Sequence, residues 1–245
     1  MARSGKLGAL KTLYCHSLNY GWRTSEHPTG VLPEPEILDW ELWLGPSPAR
    51  PNQPGLLSDW RRTKGLSDGG ILEWGAHGMD LCQAAFHRDN TGPTHHVVED
   101  GPAIATYTDG LKIRFGQPPG YHPNSAIAMR FDGEDAWFYT DDAGNLDSSS
   151  EAIVKDYRAN RPRRWDDLRN WTDHHRDFLD CVRSRGLPAS PAECAHRAAT
   201  TCHLAALCHE IGGGIVWDPD KEVILNRPEA MAFMARPYRS PWDKQ

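Results

Sequence analysis

Along this chain the spacing of apolar residues passes from a period near two to a period near 3.6, which separates a strand-rich body from a helical C-terminal third. Ala9 to Asn19 is a strand-length segment that follows a glycine-containing turn. Residues 26–58 then carry Pro28, Pro33, Pro35, Pro46, Pro48, Pro51 and Pro54, which forbid long regular elements and predict an extended, loop-like crossing. Within it, the aromatics of Leu38-Asp39-Trp40-Glu41-Leu42-Trp43-Leu44-Gly45-Pro46 are expected to pin the loop to the body. From Gly78 to Phe86, Met79, Leu81, Cys82, Ala85 and Phe86 suit a helix packed on something larger. Thr94 to Val98 predicts a short strand. Ala103 to Phe115 predicts a hairpin turning at Asp109-Gly110, and Ala126 to Thr140 a second one turning at Asp132-Gly133.

Helix signals follow. Asp173 to Arg185 places Phe178, Cys181 and Val182 on one face, with Asp173 at its start, Arg183 and Arg185 in its last turn and Gly186 beyond. Ser190-Pro191-Ala192-Glu193 reads as a capping box with Pro at the first helical position, and the helix it opens runs to Gly212-Gly213-Gly214, a C-cap. Its face of Cys194, Ala198, Thr201, Ala205 and Cys208 is small enough to let another element approach closely. A last strand, Ile215 to Trp217, precedes the tail that starts at Arg236. Hairpin-joined strands followed by helices, with little β-α-β alternation, indicate an α+β fold.

Composition narrows the function classes. A chain of 245 residues, 39% hydrophobic and 24% charged, can bury a core, and its formal charge of -6 argues against nucleic acid as a partner. Six cysteines without a Cys-x-x-Cys pair do not make a disulfide or zinc framework, and neither a secretory h-region nor an apolar run of membrane-spanning length is present. The expectation is a soluble, cytoplasmic protein with no membrane contact. No Gly-x-Gly-x-x-Gly follows a strand and opens a helix, and no phosphate-loop pattern occurs, so no cofactor-binding residue is assigned.

Candidate chemistry concentrates in Gly69-Gly70-Ile71-Leu72-Glu73-Trp74-Gly75-Ala76-His77-Gly78-Met79-Asp80-Leu81. Glu73 and His77 are four apart and share a face of a helical turn, with Asp80 three further on. That arrangement can move protons or hold a metal. Taken alone, the spacing is more often a structural pair than a catalytic one, and Asp80 reads as a helix-stabilising acid.

Several motifs in order then carry a resemblance. Arg3-Ser4-Gly5-Lys6-Leu7-Gly8, Asp39 to Pro46, Gly69 to Leu81, Asn170-Trp171 through His175 with Phe178-Leu179 and Cys181, Trp217-Asp218-Pro219 with Glu222, and Arg236-Pro237-Tyr238-Arg239-Ser240-Pro241-Trp242 are together similar to the C-terminal half of the Gfo/Idh/MocA oxidoreductases. That family includes glucose-fructose oxidoreductase and inositol dehydrogenase. The resemblance spans almost the whole chain and implies one domain over residues 1–245, an open, mostly antiparallel sheet with helices on one face. It implies a sugar or polyol substrate and a homo-oligomer formed through the sheet. Relatives carry NAD(P) and a catalytic Lys of a Glu-Lys-Pro motif on an N-terminal Rossmann domain, and this sequence contains neither, so NAD(P) is expected only if a Rossmann domain, such as a separate subunit, completes the site.

The family pairs an Asp with a His four residues later beside the carbon that is oxidised, which maps onto Glu73 and His77. His77 is then the candidate general acid/base, because its reference pKa lies near neutrality, and Glu73 the group that orients it. Glu in place of Asp lengthens that arm by one methylene. His16 and Asn19 on the first strand, Trp74, and His122 in Gly120-Tyr121-His122-Pro123 are the candidate contacts to sugar hydroxyls; ordinary surface or core roles are the blander reading of each. No metal site is assigned, although Glu73 and His77 with His16 or His122 have suitable ligand chemistry. Two other functions remain open: an NAD-independent lyase, isomerase or hydrolase acting on a keto-sugar or glycoside through Glu73 and His77, possible also with metal assistance, and a non-catalytic oligomerising subunit.

Overall fold

The computed structural model describes residues 1–17, 27–67, 69–160 and 174–243. In chain order it comprises β1 (Leu10–Ser17), α1 (Trp40–Leu44), α2 (Leu56–Asp59), α3 (Gly70–Glu73), α4 (Gly75–Phe86), β2 (His95–Val98), β3 (Ala103–Thr106), β4 (Lys112–Phe115), β5 (Ile127–Gly133), β6 (Trp137–Asp141), β7 (Leu146–Ser148), α5 (Glu151–Asn160), α6 (His174–Ser184), α7 (Ala192–Ile211), β8 (Ile215–Asp218) and β9 (Val223–Ile224). The nine strands form one sheet in the order β7-β6-β5-β1-β4-β3-β2-β8-β9. Every pair is antiparallel except β1 with β4. The α+β class and the open, mostly antiparallel sheet therefore hold, and the first strand lies between the later hairpins β3–β4 and β5–β6.

Alternation along β1 divides the two faces. Leu13 and Cys15 are buried on the face that α3, α4, α5 and α7 cover, where they meet Ile71, Met79, Cys82, Ile113, Phe131, Ala198 and Cys202. The small-residue face of α7 lies in this core, with Cys194, Ala198, Thr201, Ala205 and Cys208 all buried as its pattern predicts. A second cluster at the far end of α7 joins Leu204, Leu207 and Cys208 to Ile215, Trp217 and Ile224. Between them, on β2, His96 is 1% exposed and neither of its ring nitrogens has a hydrogen-bond partner among the described residues. Burial, followed by the charge of neighbouring His95, pulls its pKa down to about 3.

Several boundaries differ from the sequence reading, each for a local reason. The proline-rich 26–58 stretch is not wholly extended: Asp39 caps α1 by accepting from the Leu42 N–H at 2.9 Å, and Leu56 is buried in α2. The chain turns after Gly133 rather than at Asp132-Gly133, with the Gly133 N–H donating to the Ala136 carbonyl. Gly133 serves close approach instead, since a Cβ there would lie 2.0 Å from the Leu7 carbonyl oxygen. Ser190 does not cap α7. Pro191 occupies the N-cap with no side-chain bond, while Glu193 reaches forward to Arg197 at 2.8 Å instead of back. The apolar face expected on α6 is formed, yet Phe178 and Val182 on it are exposed. Strands β7 and β9 and helix α5 had no distinct signal in the residue pattern.

The C-terminal tail and α1, two motifs nearly 200 residues apart, are joined. The Arg239 guanidinium donates to the Ser47 and Glu41 carbonyls at 2.8 and 3.1 Å and pairs with the Glu41 carboxylate at 2.7 Å. A cation at the C-terminal end of α1 complements the negative end of the helix dipole.

Candidate active site

Residues 69–86 form two helical segments joined at Trp74. Gly69 opens the first with φ 72° and ψ -168°, a conformation open to glycine alone, and its carbonyl accepts from the Leu72 and Glu73 N–H groups. The Trp74 N–H donates to Gly70 and the Gly78 N–H to Trp74, so the turn between Glu73 and His77 stays helical. The Ser17 hydroxyl at the end of β1 fixes the start of α3 by donating to the Gly70 carbonyl at 3.0 Å.

The helix sits low on the sheet because Gly78 has no side chain. A Cβ at that position would lie 2.9 Å from Cys15 Sγ and 3.3 Å from Ile127 Cγ2. Gly78→Ala is expected to cost about 1–3 kcal/mol by overpacking, read as a lower urea midpoint. Combined with Cys15→Ala, the loss should be smaller than the sum of the two single changes; simple additivity would show that this contact does not set the helix position.

His77 is exposed on α4 and its ring lies 6.0 Å from that of Trp74, which is 38% exposed. His77, Asp80 and Ser190 bring polar groups to one groove of about 390 Å³. The rest of its wall is apolar and small: Ala76 and Leu81 from α4, Ala195 and Ala198 from α7. Glu73, one turn before His77, pairs with Arg61 Nε at 2.6 Å. Arg61 comes from a short 3-10 turn (Trp60–Arg62) before α3, twelve positions upstream of Glu73, so no local spacing pointed to it. A half-exposed pair of this kind adds little stability, about 0–1 kcal/mol. It does fix where the carboxylate points.

The expected substrate contacts fall in two places. Trp74 stands beside His77, whereas His16 points to the face of the sheet opposite Cys15 and Ser17, against the Tyr121 ring at 4.5 Å. His122 follows Tyr121 and lies 5.3 Å from the Tyr139 ring. Tyr139 donates to Asp141 Oδ2 at 2.8 Å, and Asn145 donates to the same carboxylate from its side chain and its backbone. Burial pushes the Asp141 carboxyl up, but the Asn145 and Tyr139 hydrogen bonds outweigh it and hold its pKa below the usual range. Burial lowers the pKa of His16. Neither Tyr139 nor Asp141 was singled out in the sequence, because strand alternation gives no sign of which polar residues a later loop will cover. Asn19 lies outside the described residues.

Two further possibilities raised by the sequence meet the geometry here. Among the described residues no group of three or more His, Cys, Asp or Glu side chains converges as a metal cage, and His16 and His122 lie across the sheet from His77. No strand, glycine-rich turn and helix come together as a dinucleotide cradle among them either: Gly212-Gly213-Gly214 ends α7 and leads into β8. These residues do not fit NAD(P) by themselves. No helix among them is long and apolar enough to cross a membrane.

Solved structures of similar fold include GenD2 from gentamicin A biosynthesis in complex with NAD (14% identity, 89% of this chain and 58% of that one, TM-score 0.49). Others are myo-inositol 2-dehydrogenase from Lactobacillus plantarum (12%, 86% and 58%, 0.46) and the UDP-N-acetylglucosamine 3-dehydrogenase GnnA from Acidithiobacillus ferrooxidans (14%, 82% and 54%, 0.40). The chain thus spans less than two thirds of the length of each. No curated protein matches it. Residues 9–244 match the model of the oxidoreductase family's C-terminal alpha/beta domain, and the chain belongs to that family, the Gfo/Idh/MocA oxidoreductases.

Proposed function

We propose that this domain is the substrate-holding part of a sugar or polyol oxidoreductase, in which His77 exchanges the proton of the hydroxyl that is oxidised or of the carbonyl that is reduced. The observation that carries the reading is the exposed imidazole lining a groove, one turn after a carboxylate that Arg61 holds in place. Trp74 offers an aromatic face to the sugar's C–H groups. His16 and His122 lie on the far side of the sheet from Trp74, so they would meet hydroxyls only of a substrate that reaches past the C-terminal end of β1. The redox step belongs to NAD(P) on a separate dinucleotide-binding domain, and nothing in the chemistry assigned to His77 requires the cofactor to touch this chain.

The test is reconstitution. The chain, mixed with or fused to the dinucleotide-binding domain of a family member, is expected to give sugar- or polyol-dependent NAD(P) reduction that neither part gives alone. Turnover of a 3-keto-glycoside by the chain alone, without NAD, would replace this reading with that of a cofactor-independent lyase or hydrolase.

Self-association through the face of the sheet that carries no helix belongs to the same proposal. That face carries Tyr14, Arg114, and Arg130 stacked 4.0 Å over Trp137, the residue types enriched where protein surfaces meet. Sedimentation should give at least a dimer that Trp137→Glu dissociates; a monomeric parent would refute this.

A further inference from the structure

We infer that Arg61 is a positioning residue for His77 and acts through Glu73: it draws that carboxylate off the imidazole one turn later, so the ring exchanges protons with no carboxylate holding the proton on it. This deepens the proposed function and rests on its giving the proton transfer to His77.

The spacing sets up a competition. A carboxylate and an imidazole four positions apart on a helical turn are within reach of each other. Glu73 and His77 stand in that relation, and the turn between them is helical. Among the described residues, however, the ion pair of Glu73 is made with Arg61 Nε at 2.6 Å and none joins it to His77. The carboxylate thus has two cations to choose from. The guanidinium is charged at every working pH, the imidazole only once it has taken up a proton.

Arg61 is also the better prepared of the two. Its guanidinium lies 5.0 Å over the Trp60 ring, within the turn Trp60–Arg62. The next residue, Thr63, is fully buried; its hydroxyl donates to the Asp59 carbonyl at 3.0 Å and lies 2.9 Å from His27 Nε2. Lys64 then pairs with Glu210 of α7. At the other end of the pair, Ser17 and Gly69 fix the start of α3. The fold therefore holds both carriers of the ion pair, and pairing orders less of the chain than it does between two loose surface segments.

The consequence is for the proton. An opposite charge beside an imidazole favours its charged form. A general acid/base that has taken a proton from a hydroxyl must release it before the next turnover, and a carboxylate in contact with the ring would oppose that release. Asp80 lines the groove together with His77, and from the α7 side Ser190, Ala195 and Ala198 bring no charge to it. Asp80 is kept in every comparison below, so its influence cancels.

The titration of the ring itself tests this. NMR of the chain with labelled histidine, at about 0.15 M ionic strength where charges more than about 8 Å apart are largely screened, gives the His77 midpoint; its signal is assigned by its loss in His77→Ala. Arg61→Met is expected to raise that midpoint by about 0.3 pH unit, the size of a helical ion pair, as Glu73 turns to the ring. In a Glu73→Gln background the same change at Arg61 should move it less than half as far, since only the loss of a distant charge is left. No rise in Arg61→Met, or equal rises in the two backgrounds, would overturn the inference. The pair is partly exposed and adds little stability, so neither change endangers the fold. In the reconstituted oxidoreductase the acidic limb of the pH profile should follow the same shift. A midpoint that moves as expected while His77→Ala keeps full reconstituted activity would leave the positioning by Arg61 standing and remove the proton-transfer role given to His77.

Discussion

His77→Ala is expected to lower kcat of the reconstituted oxidoreductase about 10²–10⁴-fold, the usual contribution of a positioned general acid/base. Sugar affinity should change little, since Trp74 remains. The imidazole is exposed on α4 and lines a groove instead of the core, so the unfolding midpoint should be close to that of the parent. Activity loss without stability loss is the signature that separates a proton-transfer role from a packing one. Glu73→Gln should have a smaller effect, because the amide can still accept from Arg61 while the charge is removed. If His77→Ala keeps the parental kcat, the proton passes elsewhere and the helical motif is structural.

The second large effect is on stability, at His96. Its unfolded-state pKa is near the ordinary 6.5, while burial pulls the folded-state value down to about 3. Above pH 6.5 both states hold a neutral ring and the residue contributes no pH dependence. As the pH falls below 6.5 the unfolded chain binds a proton that the folded one refuses, so stability declines until about pH 3 and then levels off. The whole window amounts to roughly 5 kcal/mol at about 1.4 kcal/mol per pH unit, a large share of the 5–15 kcal/mol typical of a folded domain. His96→Leu, of similar size, removes both unpartnered nitrogens and should flatten this part of the stability curve while leaving stability at neutral pH equal or higher. Urea titrations of both proteins from pH 7 to pH 4 make the comparison. An identical decline in the variant would mean that other groups carry the acid sensitivity.

These two histidines also mark what could be read in advance. His77 was legible because its helical motif supplies its own context: a spacing of four from Glu73, glycines at Gly75 and Gly78, and apolar residues on the opposite side. The hairpin at Asp109-Gly110 and the small face of α7 were legible for the same reason, each being fixed by residues within one or two turns. His96 was not, since one member of a His doublet on a strand is buried and the other exposed only according to which face later meets α7. Arg61 and Asp141 were equally silent: their partners come from elements that sequence spacing does not join. Gly133 misled in a different way, because a glycine after an aspartate signals a turn, whereas here it makes room for the Leu7 carbonyl.

The position of β1 has a consequence for how the molecule is assembled. It is the earliest strand in the chain, yet both of its neighbours, β4 and β5, arrive about 100 residues later. The centre of the sheet thus stays unformed until residues 112–133 are available, while local hairpins such as β3 with β4 and β5 with β6 can close on their own. Ordering the connecting chain before any central hydrogen bond forms makes such pairings slow. Ser17 of that strand also holds the start of α3, so the groove beside His77 should be among the last features to take shape.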